Sequence, residues 1–542
     1  MQPVLNVEDV RAVEQALTKE GVSLAELMRR AGNAAAQEVL RQENAHKVCV
    51  LAGFGNNGGD GWVAAETLRG KGADVCVVTP LSPDDIKGDL AHVVATSART
   101  AGVPIHVAPP REKLEELLDE ADVVVDAMLG TGFHGAPKAP FDIWIDCLNS
   151  CDARVVSVDV PSGLSAQTGH APEQSVVADI TVTMLCLKPG LLSDDGRDLC
   201  GAIVVAPLAE QTEHLLIEAD PVAWRAEIED YVEVLVPPTT AVDKYTRGSV
   251  LVVGGSERYV GAPILAACAA ARAGAGYVTL AVPETIAAQV QAHVLEIPVV
   301  GLPADPEAHT FAADARERLR QLASRASCVV AGPGMGVNPS TMSVISALLQ
   351  VDVPLVIDAD GLNCISRLTS GRLDSFPELL RRSAPIVLTP HRRELGRLVG
   401  QADTPPDSLT AAMDAARRIV WAEGGSEICI VAKGTATACV GVEAALLPKP
   451  GPQALATAGS GDVLSGVMGA TLARAVPQPD FEMSNLPLLC ALASEIHGEA
   501  ARRATKRFGS RGVMATDVID ELGLATDAVE ERASYAPEQA LS

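Results

Sequence analysis

Short, unbroken apolar runs recur along the chain, separated by longer stretches in which apolar residues return every three or four positions. The first series is Lys47-Val-Cys-Val-Leu-Ala-Gly, Ala73-Asp-Val-Cys-Val-Val-Thr, Pro104-Ile-His-Val-Ala, Asp122-Val-Val-Val-Asp, Arg154-Val-Val-Ser-Val-Asp and Asp179-Ile-Thr-Val-Thr. Two helical segments, 7–20 and 23–42, precede it. Strands that lack polar alternation are covered on both faces, as in a parallel sheet between helix layers. Around 210–240 the pattern gives way to acidic residues and Pro237-Pro-Thr-Thr. A second series comes next: Ser249-Val-Leu-Val-Val-Gly, Tyr277-Val-Thr-Leu-Ala-Val, Cys328-Val-Val-Ala-Gly, Pro354-Leu-Val-Ile-Asp, Pro385-Ile-Val-Leu-Thr and Glu427-Ile-Cys-Ile-Val-Ala. From Thr526 the chain turns polar and rich in Ala and Glu, and is expected to be poorly ordered. The reading is α/β, with two parallel-sheet domains and no internal repeat.

Composition narrows the function. The net charge of −26 argues against a binder of nucleic acid or anionic membranes. It leaves room for small anions, which glycine turns and helix starts can hold inside an acidic protein. The longest apolar runs, Val260–Ala271 and Val463–Ala473, are too short to span a bilayer. Twelve cysteines stand singly, with no Cys-x-x-Cys pair, which fits small buried side chains in a reducing compartment. A cytoplasmic enzyme is expected.

In open parallel sheets, ligands bind at the carboxyl ends of the strands, and every informative motif falls there. The first strand runs into Phe54-Gly-Asn-Asn-Gly-Gly-Asp-Gly61, with a helix expected from Trp62. Glycines 53, 55, 58, 59 and 61 permit positive φ and close approach of backbone to a ligand. The spacing fits neither the dinucleotide fingerprint nor the P-loop. Further strand ends carry Asp126-Ala-Met-Leu-Gly-Thr-Gly132, Asp159-Val-Pro-Ser-Gly163 and Lys188-Pro-Gly190. One carboxylate at a strand end could cap a helix; two, with a lysine and a glycine turn at one sheet edge, point to a site.

Together with Asn56-Asn-Gly-Gly-Asp60, these motifs resemble the epimerase domain of the NAD(P)H-hydrate repair enzymes, over 1–215. The resemblance implies interconversion of the R and S forms of hydrated NAD(P)H. It also implies a potassium ion held by Asn57, Asp126 and Ser162. Substrate contacts would come from Asn56, Asn57, Gly58, Gly59 and Asp60, from Gly130, Thr131, Gly132, Phe133, His134, Gly135 and Ala136, and from Asp159. In loss and readdition of hydroxide through an iminium-type cation, a buried carboxylate can act as acid/base and stabilise the cation. Asp126 is assigned that role, with Lys188 orienting or donating a proton.

The second half places Gly254-Gly-Ser256, Gly332-Pro-Gly334, Asp358 and Asp360, Thr389-Pro-His391 with Glu394, and Lys433-Gly434 after successive strands. Its strongest signal is Ala458-Gly-Ser-Gly-Asp462, an anion-binding turn with a carboxylate beside the bound phosphate, as phosphoryl transfer requires. His391 and Glu394, taken singly, read as structural. These motifs resemble the ribokinase-like, ADP-dependent dehydratase domain of the same enzymes, across 241–525.

This second resemblance implies dehydration of S-NAD(P)H hydrate, with ADP and Mg²⁺ as partners and ADP consumed to AMP and phosphate. Ala262, Gly334, His391 and Asp462 would contact the hydrate. Lys433, Gly434, Thr435, Ala436, Thr437 and Gly461 would contact the nucleotide, and Asp462 would be the base. Residues 216–240 are expected to be a linker, 526–542 a polar tail, and the protein a homo-oligomer. The chain departs from the family pattern at Lys244-Tyr-Thr-Arg-Gly248 and Pro452-Gln-Ala454. The competing expectation is a ribokinase-like small-molecule kinase with an N-terminal nucleotide-binding regulatory or scaffold domain.

Overall fold

The computed structural model describes the chain except at residues 44, 88, 173, 211, 237–245, 374–381, 424–426 and 540–542. It divides into two compact units, Gln2–Val222 and Ala223–Ser542. Among the described residues, no helix is long and apolar enough to cross a membrane.

In the first unit, α1 (Val7–Lys19) and α2 (Leu24–Leu40) lead into a parallel sheet. The side chain of Ser23 accepts a hydrogen bond from the Glu26 amide and so starts α2. The strands are β1 (Lys47–Ala52), β2 (Asp74–Thr79), β3 (Ile105–Val107), β4 (Val123–Ala127), β5 (Arg154–Val158), β6 (Ile180–Met184) and β7 (Ala202–Ala206). Their order is β3-β2-β1-β4-β5-β6-β7, so the sequence direction reverses beside β1. That reversal opens a crevice at the carboxyl ends of β1 and β4. The edge strand β7, Ala-Ile-Val-Val-Ala, is absent from the strands expected of the sequence.

The helix after β1, α3 (Asn56–Gly70), starts six residues earlier than Trp62. None of the glycines at 53, 55, 58, 59 and 61 has positive φ. What requires them is packing. A Cβ on Gly58 would lie 2.0 Å from the Gly53 carbonyl oxygen, and one on Gly61 would lie 2.6 Å from the Ala127 Cβ. The glycine run therefore seats a helix start directly on the sheet.

The second unit is a larger sheet with helices on both faces. Its strands are β8 (Ala223–Arg225), β9 (Ser249–Val253), β10 (Tyr277–Pro283), β11 (Val299–Leu302), β12 (Cys328–Ala331), β13 (Leu355–Ile357), β14 (Ile386–Leu388), β15 (Ile428–Ala432), β16 (Ala438–Val440) and β17 (Ala445–Leu447). They lie in the order β8-β17-β16-β15-β14-β13-β12-β9-β10-β11. From β11 to β15 every pairing is parallel, whereas β15, β16 and β17 form an antiparallel meander.

The segment expected as a linker contains β8, which pairs Trp224 with Leu446 and Arg225 with Leu447. It covers the edge that β17 would otherwise expose, and the buried Tyr231 ring comes shortly after it. Pro237–Thr240 and Lys244–Tyr245 lie outside the described residues.

The principal helices here are α4 (Gly261–Arg272), α5 (Arg392–Leu398), α6 (Ser460–Ala475), α7 (Leu486–Phe508) and α8 (Ala515–Gln539). The expected polar tail is corrected by α8, which is helical as far as Gln539. Leu522, Ala525, Val529 and Ala533 recur at helical spacing and are buried in the core, while Glu530 pairs with Arg474 at 2.9 Å. The small-residue helices α4 and α6 pack closely: a Cβ on Gly466 would come within 2.1 Å of the Ala266 carbonyl.

Candidate active sites

In the first unit the strand ends, α1, α2 and the start of α3 enclose a cavity of about 550 Å³. Its walls include Arg11, Glu14, Met28, Phe54, Asn56, Asn57, Asp60, Gly130–Phe133, Asp159 and Lys188. Thus the expected cluster is largely assembled. His134, Gly135 and Ala136 are exposed and do not line the cavity; Gly58 and Gly59 are buried in packing contacts.

Asp159 follows β5 in the left-handed region, with φ +67°, a conformation that costs a residue with a Cβ about 1 kcal/mol or more. The surrounding contacts hold it there. Its N–H donates to the Val182 carbonyl at 2.8 Å, and its Oδ1 accepts from Lys188 Nζ at 2.7 Å and from the Met184 amide at 3.3 Å. Lys188 is buried and spends all three N–H groups: on Asp159, on Thr183 Oγ1 at 2.8 Å, and on the Met184 carbonyl at 2.8 Å. It is a fixed cation with no proton to spare unless one of these bonds breaks.

Asp126 stands differently. It is fully buried on β4, beside Ser157 in register, and does not line the cavity. Oδ1 accepts from Ser162 Oγ at 2.6 Å and the Met128 amide at 3.3 Å, and Oδ2 accepts from Ser157 Oγ and the Ser162 amide, each at 2.8 Å. Burial raises its pKa, and these hydrogen bonds oppose the rise. Four donors thus occupy the oxygens of Asp126, the carboxylate expected to act on substrate, whereas Asp159 lines the cavity.

Asn57, Asp126 and Ser162 can each present a side-chain oxygen, and the buried Asn57 side-chain nitrogen has no hydrogen-bond partner. A side-chain amide can be turned to present its oxygen, so this corner fits a hard monovalent cation.

Two cavity residues escape the sequence reading. Arg11 and Glu14 sit one turn apart on α1, whose amphipathic pattern reads only as a packing helix. Burial and then the charge of Asp159 push the Glu14 carboxyl above its usual value. Burial, Asp159 and Glu14 push Asp60 well above its own.

In the second unit the site forms around Lys433, which follows β15 and donates to Asp358 Oδ1 at 2.7 Å. Burial works against the Lys433 charge, yet Asp358, Glu394 and Asp462 outweigh it and raise the pKa. Gly459 precedes α6 with φ +86°, which sets the following amides as a helix start. Gly461 lies over the lysine: a Cβ there would be 3.4 Å from Lys433 Nζ. Asp462, in the first turn of α6, is pushed up to about 7 by burial, with Asp358 adding to the rise.

His391 caps α5. Its Nδ1 accepts from the amides of Arg393 and Glu394 at 3.1 and 3.3 Å, while Glu394 Oε2 accepts from the His391 amide at 3.0 Å. The remaining nitrogen, half exposed, lies 3.4 Å from Glu394 Oε1. Because Nδ1 accepts both amides it carries no proton, which leaves the ring neutral; burial, with Lys433 second, also lowers its pKa. Burial raises Glu394 to about 7.

Gly334 has φ +63°, and a Cβ on it would meet Tyr259 at 2.7 Å and the Ala262 Cβ at 3.1 Å, so Ala262 and Gly334 share one corner. Gly434 and Thr435 are exposed, Ala436 is buried and Thr437 half-buried, where the chain turns into β16. Sequence reasoning misses His497 on α7: its Nε2 lies 3.5 Å from Ser460 Oγ, and burial lowers it to about 4. Pro452 is partly buried and Gln453 exposed, with a short 3₁₀ turn over Gln453–Leu455. Among the described residues no group of three His, Cys, Asp or Glu could hold a metal alone. A divalent ion here would arrive on nucleotide phosphates, as Mg²⁺ commonly does.

Residues 24–190 match the family model described as YjeF-related protein N-terminus, and 250–523 the model described as NAD(P)H-hydrate dehydratase. The chain is 32% identical to the bifunctional NAD(P)H-hydrate repair enzyme of Hyperthermus butylicus, over 98% of this chain and 93% of that one. It is 33% identical to the enzyme of the same name from Salinibacter ruber (96% and 95%) and 32% identical to that of Escherichia coli K12 (95% and 92%). A solved ADP/ATP-dependent NAD(P)H-hydrate dehydratase from Bacillus subtilis, co-crystallised with ATP and Mg²⁺, aligns with 57% of this chain and 99% of its own, at 23% identity and a TM-score of 0.44. Two matched halves and near-complete coverage by such relatives lead to one conclusion: the chain belongs to the family of bifunctional NAD(P)H-hydrate repair enzymes.

Proposed function

We propose that the first unit epimerises R- and S-NAD(P)H hydrate at the Asp159–Lys188 pair, and that the second dehydrates the S form with ADP at Asp462. The observation that carries the first half is a cavity lined by a strained carboxylate, Asp159, with one oxygen fixed by lysine. Epimerisation breaks the bond between the ring carbon and its hydroxyl, using the lone pair of the adjacent ring nitrogen. Asp159 then faces the resulting cation, and Lys188 holds Asp159 in place. Water adds from the opposite face. Asn57, Asp126 and Ser162 would hold K⁺, which would brace the Gly130–Phe133 wall through the Ser162–Leu129 hydrogen bond.

In the second unit, Asp462 would take the proton of the ring hydroxyl as that oxygen attacks the terminal phosphorus of ADP, releasing AMP. The α6 amides and Lys433 face the developing charge. The ring nitrogen then expels phosphate, and loss of a proton from the neighbouring carbon restores the reduced ring. A carboxylate with a pKa of about 7 suits a base working near neutral pH. His391 supplies a neutral, half-exposed ring to the hydrate side of the pocket.

The test is full-length protein with purified R-hydrate, ADP, Mg²⁺ and K⁺. Recovery of reduced-nicotinamide absorbance, with free orthophosphate by ³¹P NMR, is expected. A stable phosphate ester would instead mark a small-molecule kinase.

A further inference from the structure

The epimerisation assigned to the first unit needs a proton for the departing hydroxyl, and neither Lys188 nor Asp126 can readily give one. All three N–H groups of Lys188 are engaged, and Asp126 lies behind the wall with its oxygens occupied. The same cavity is lined by Glu14, on α1, before the first strand and before the residues that match the N-terminal family model. We propose that Glu14 is the general acid of the epimerase site: its carboxyl protonates the leaving hydroxyl, and Asp159 serves the opposite step. This rests on the epimerase reading of that cavity.

Three features support it. Glu14 lines the same void as Asp159, Asp60, Lys188 and Arg11, which are the charged groups facing it from α1, the β5 and β6 ends and α3. Its side chain forms no hydrogen bond or ion pair among the described residues, so its proton is free to reach a ligand. Arg11, one turn earlier on the same helix, approaches the cavity without closing an ion pair on Glu14. Burial and the charge of Asp159 favour its protonated form, whereas Lys188 and Arg11 oppose it.

The step balances. The Glu14 O–H proton moves to the hydroxyl oxygen; the carbon–oxygen bond breaks with its electrons on oxygen, and water leaves. The ring nitrogen lone pair becomes the second bond of a C=N⁺ group. Water attacks the other face, the π electrons return to nitrogen, and the attacking water gives a proton to Asp159. Exchange with solvent returns both carboxyls to their starting states, and the reverse reaction uses the same pair with roles exchanged.

The experiment compares wild type and Glu14→Gln as full-length protein, following interconversion of R- and S-hydrate by chiral separation from pH 5 to 9. A fall in kcat of about 10² or more is expected, with KM little changed and with loss of the limb on which wild-type kcat declines as the acid ionises. Glu14→Asp should recover part of the rate. Urea unfolding of the first unit, followed by hydrogen exchange in Asn56–Gly70 on the same sample, serves as the folding control. If that control is intact while Glu14→Gln keeps wild-type kcat and pH profile, the proposal is overturned. If wild type itself fails to interconvert the isomers, the epimerase reading falls instead.

Discussion

Replacing Asp462 by Asn should make the second unit more stable at neutral pH while removing its chemistry. The carboxyl is raised from 3.8 to about 7, chiefly by burial, so the folded protein holds this proton more tightly than the unfolded chain does. Between those values the native state carries the extra proton, and stability falls as pH rises. From pH 5 to pH 7 the change spans two pH units at about 1.4 kcal/mol each, or ~3 kcal/mol, and it levels off above. Asparagine is uncharged throughout. The difference in unfolding free energy between Asp462→Asn and wild type should therefore grow by ~3 kcal/mol between pH 5 and pH 8.5. Urea denaturation of full-length protein at both pH values, monitored by hydrogen exchange in Ser460–Ala475, reads this quantity directly. Phosphate release with ADP and S-hydrate should fall by about 10²–10⁴. A stability difference that stays flat or shrinks with pH would refute the argument that Asp462 is an uncomfortable buried carboxylate.

Other substitutions probe the remaining features. Gly58→Ala should destabilise the first unit by ~2 kcal/mol or more, because a Cβ would strike the Gly53 carbonyl at 2.0 Å. Gly55→Ala, where nothing lies within 4 Å, should cost under ~1 kcal/mol; urea unfolding separates the two. Lys188→Met should abolish epimerisation and cost ~3–5 kcal/mol, since Asp159 would keep its strained place without its cation; turnover and urea unfolding of the first unit check both. His391→Ala should cost about 1 kcal/mol through the lost cap, and Asn should restore stability without restoring the wild-type KM for hydrate.

Much of the architecture is legible because a buried parallel strand must be apolar throughout: β1, β4 and β5 read directly as Val-rich runs. Strands such as β7, β8, β16 and β17 escape because three to five residues at a sheet margin carry little periodicity. The glycine run is found at the right place with the wrong physics. Its residues read as a flexible turn, although a helix start packed on the sheet demands the same composition. Asp126 and Asp159 look alike as sequence, each a carboxylate closing a β-strand. Only the fold shows that one is walled in by Ser157 and Ser162 and the other faces the cavity. Glu14 is invisible for a similar reason, since an acidic residue on an amphipathic helix is ordinarily just a solvated one. Conversely, Asp462 and Lys433 are legible because a glycine turn at a helix start dictates what its neighbours can touch.

The first cavity borrows part of its enclosure from outside the matched core. Val7, Val10, Arg11 and Glu14 come from ahead of residue 24, and Leu208 from beyond residue 190. A polypeptide trimmed to 24–190 would keep Asp159, Lys188 and the α3 start yet lose this side of the chamber, leaving those residues open to bulk water. Assays on such a fragment would measure a leaking vessel, and poor turnover there would say little about the intact protein.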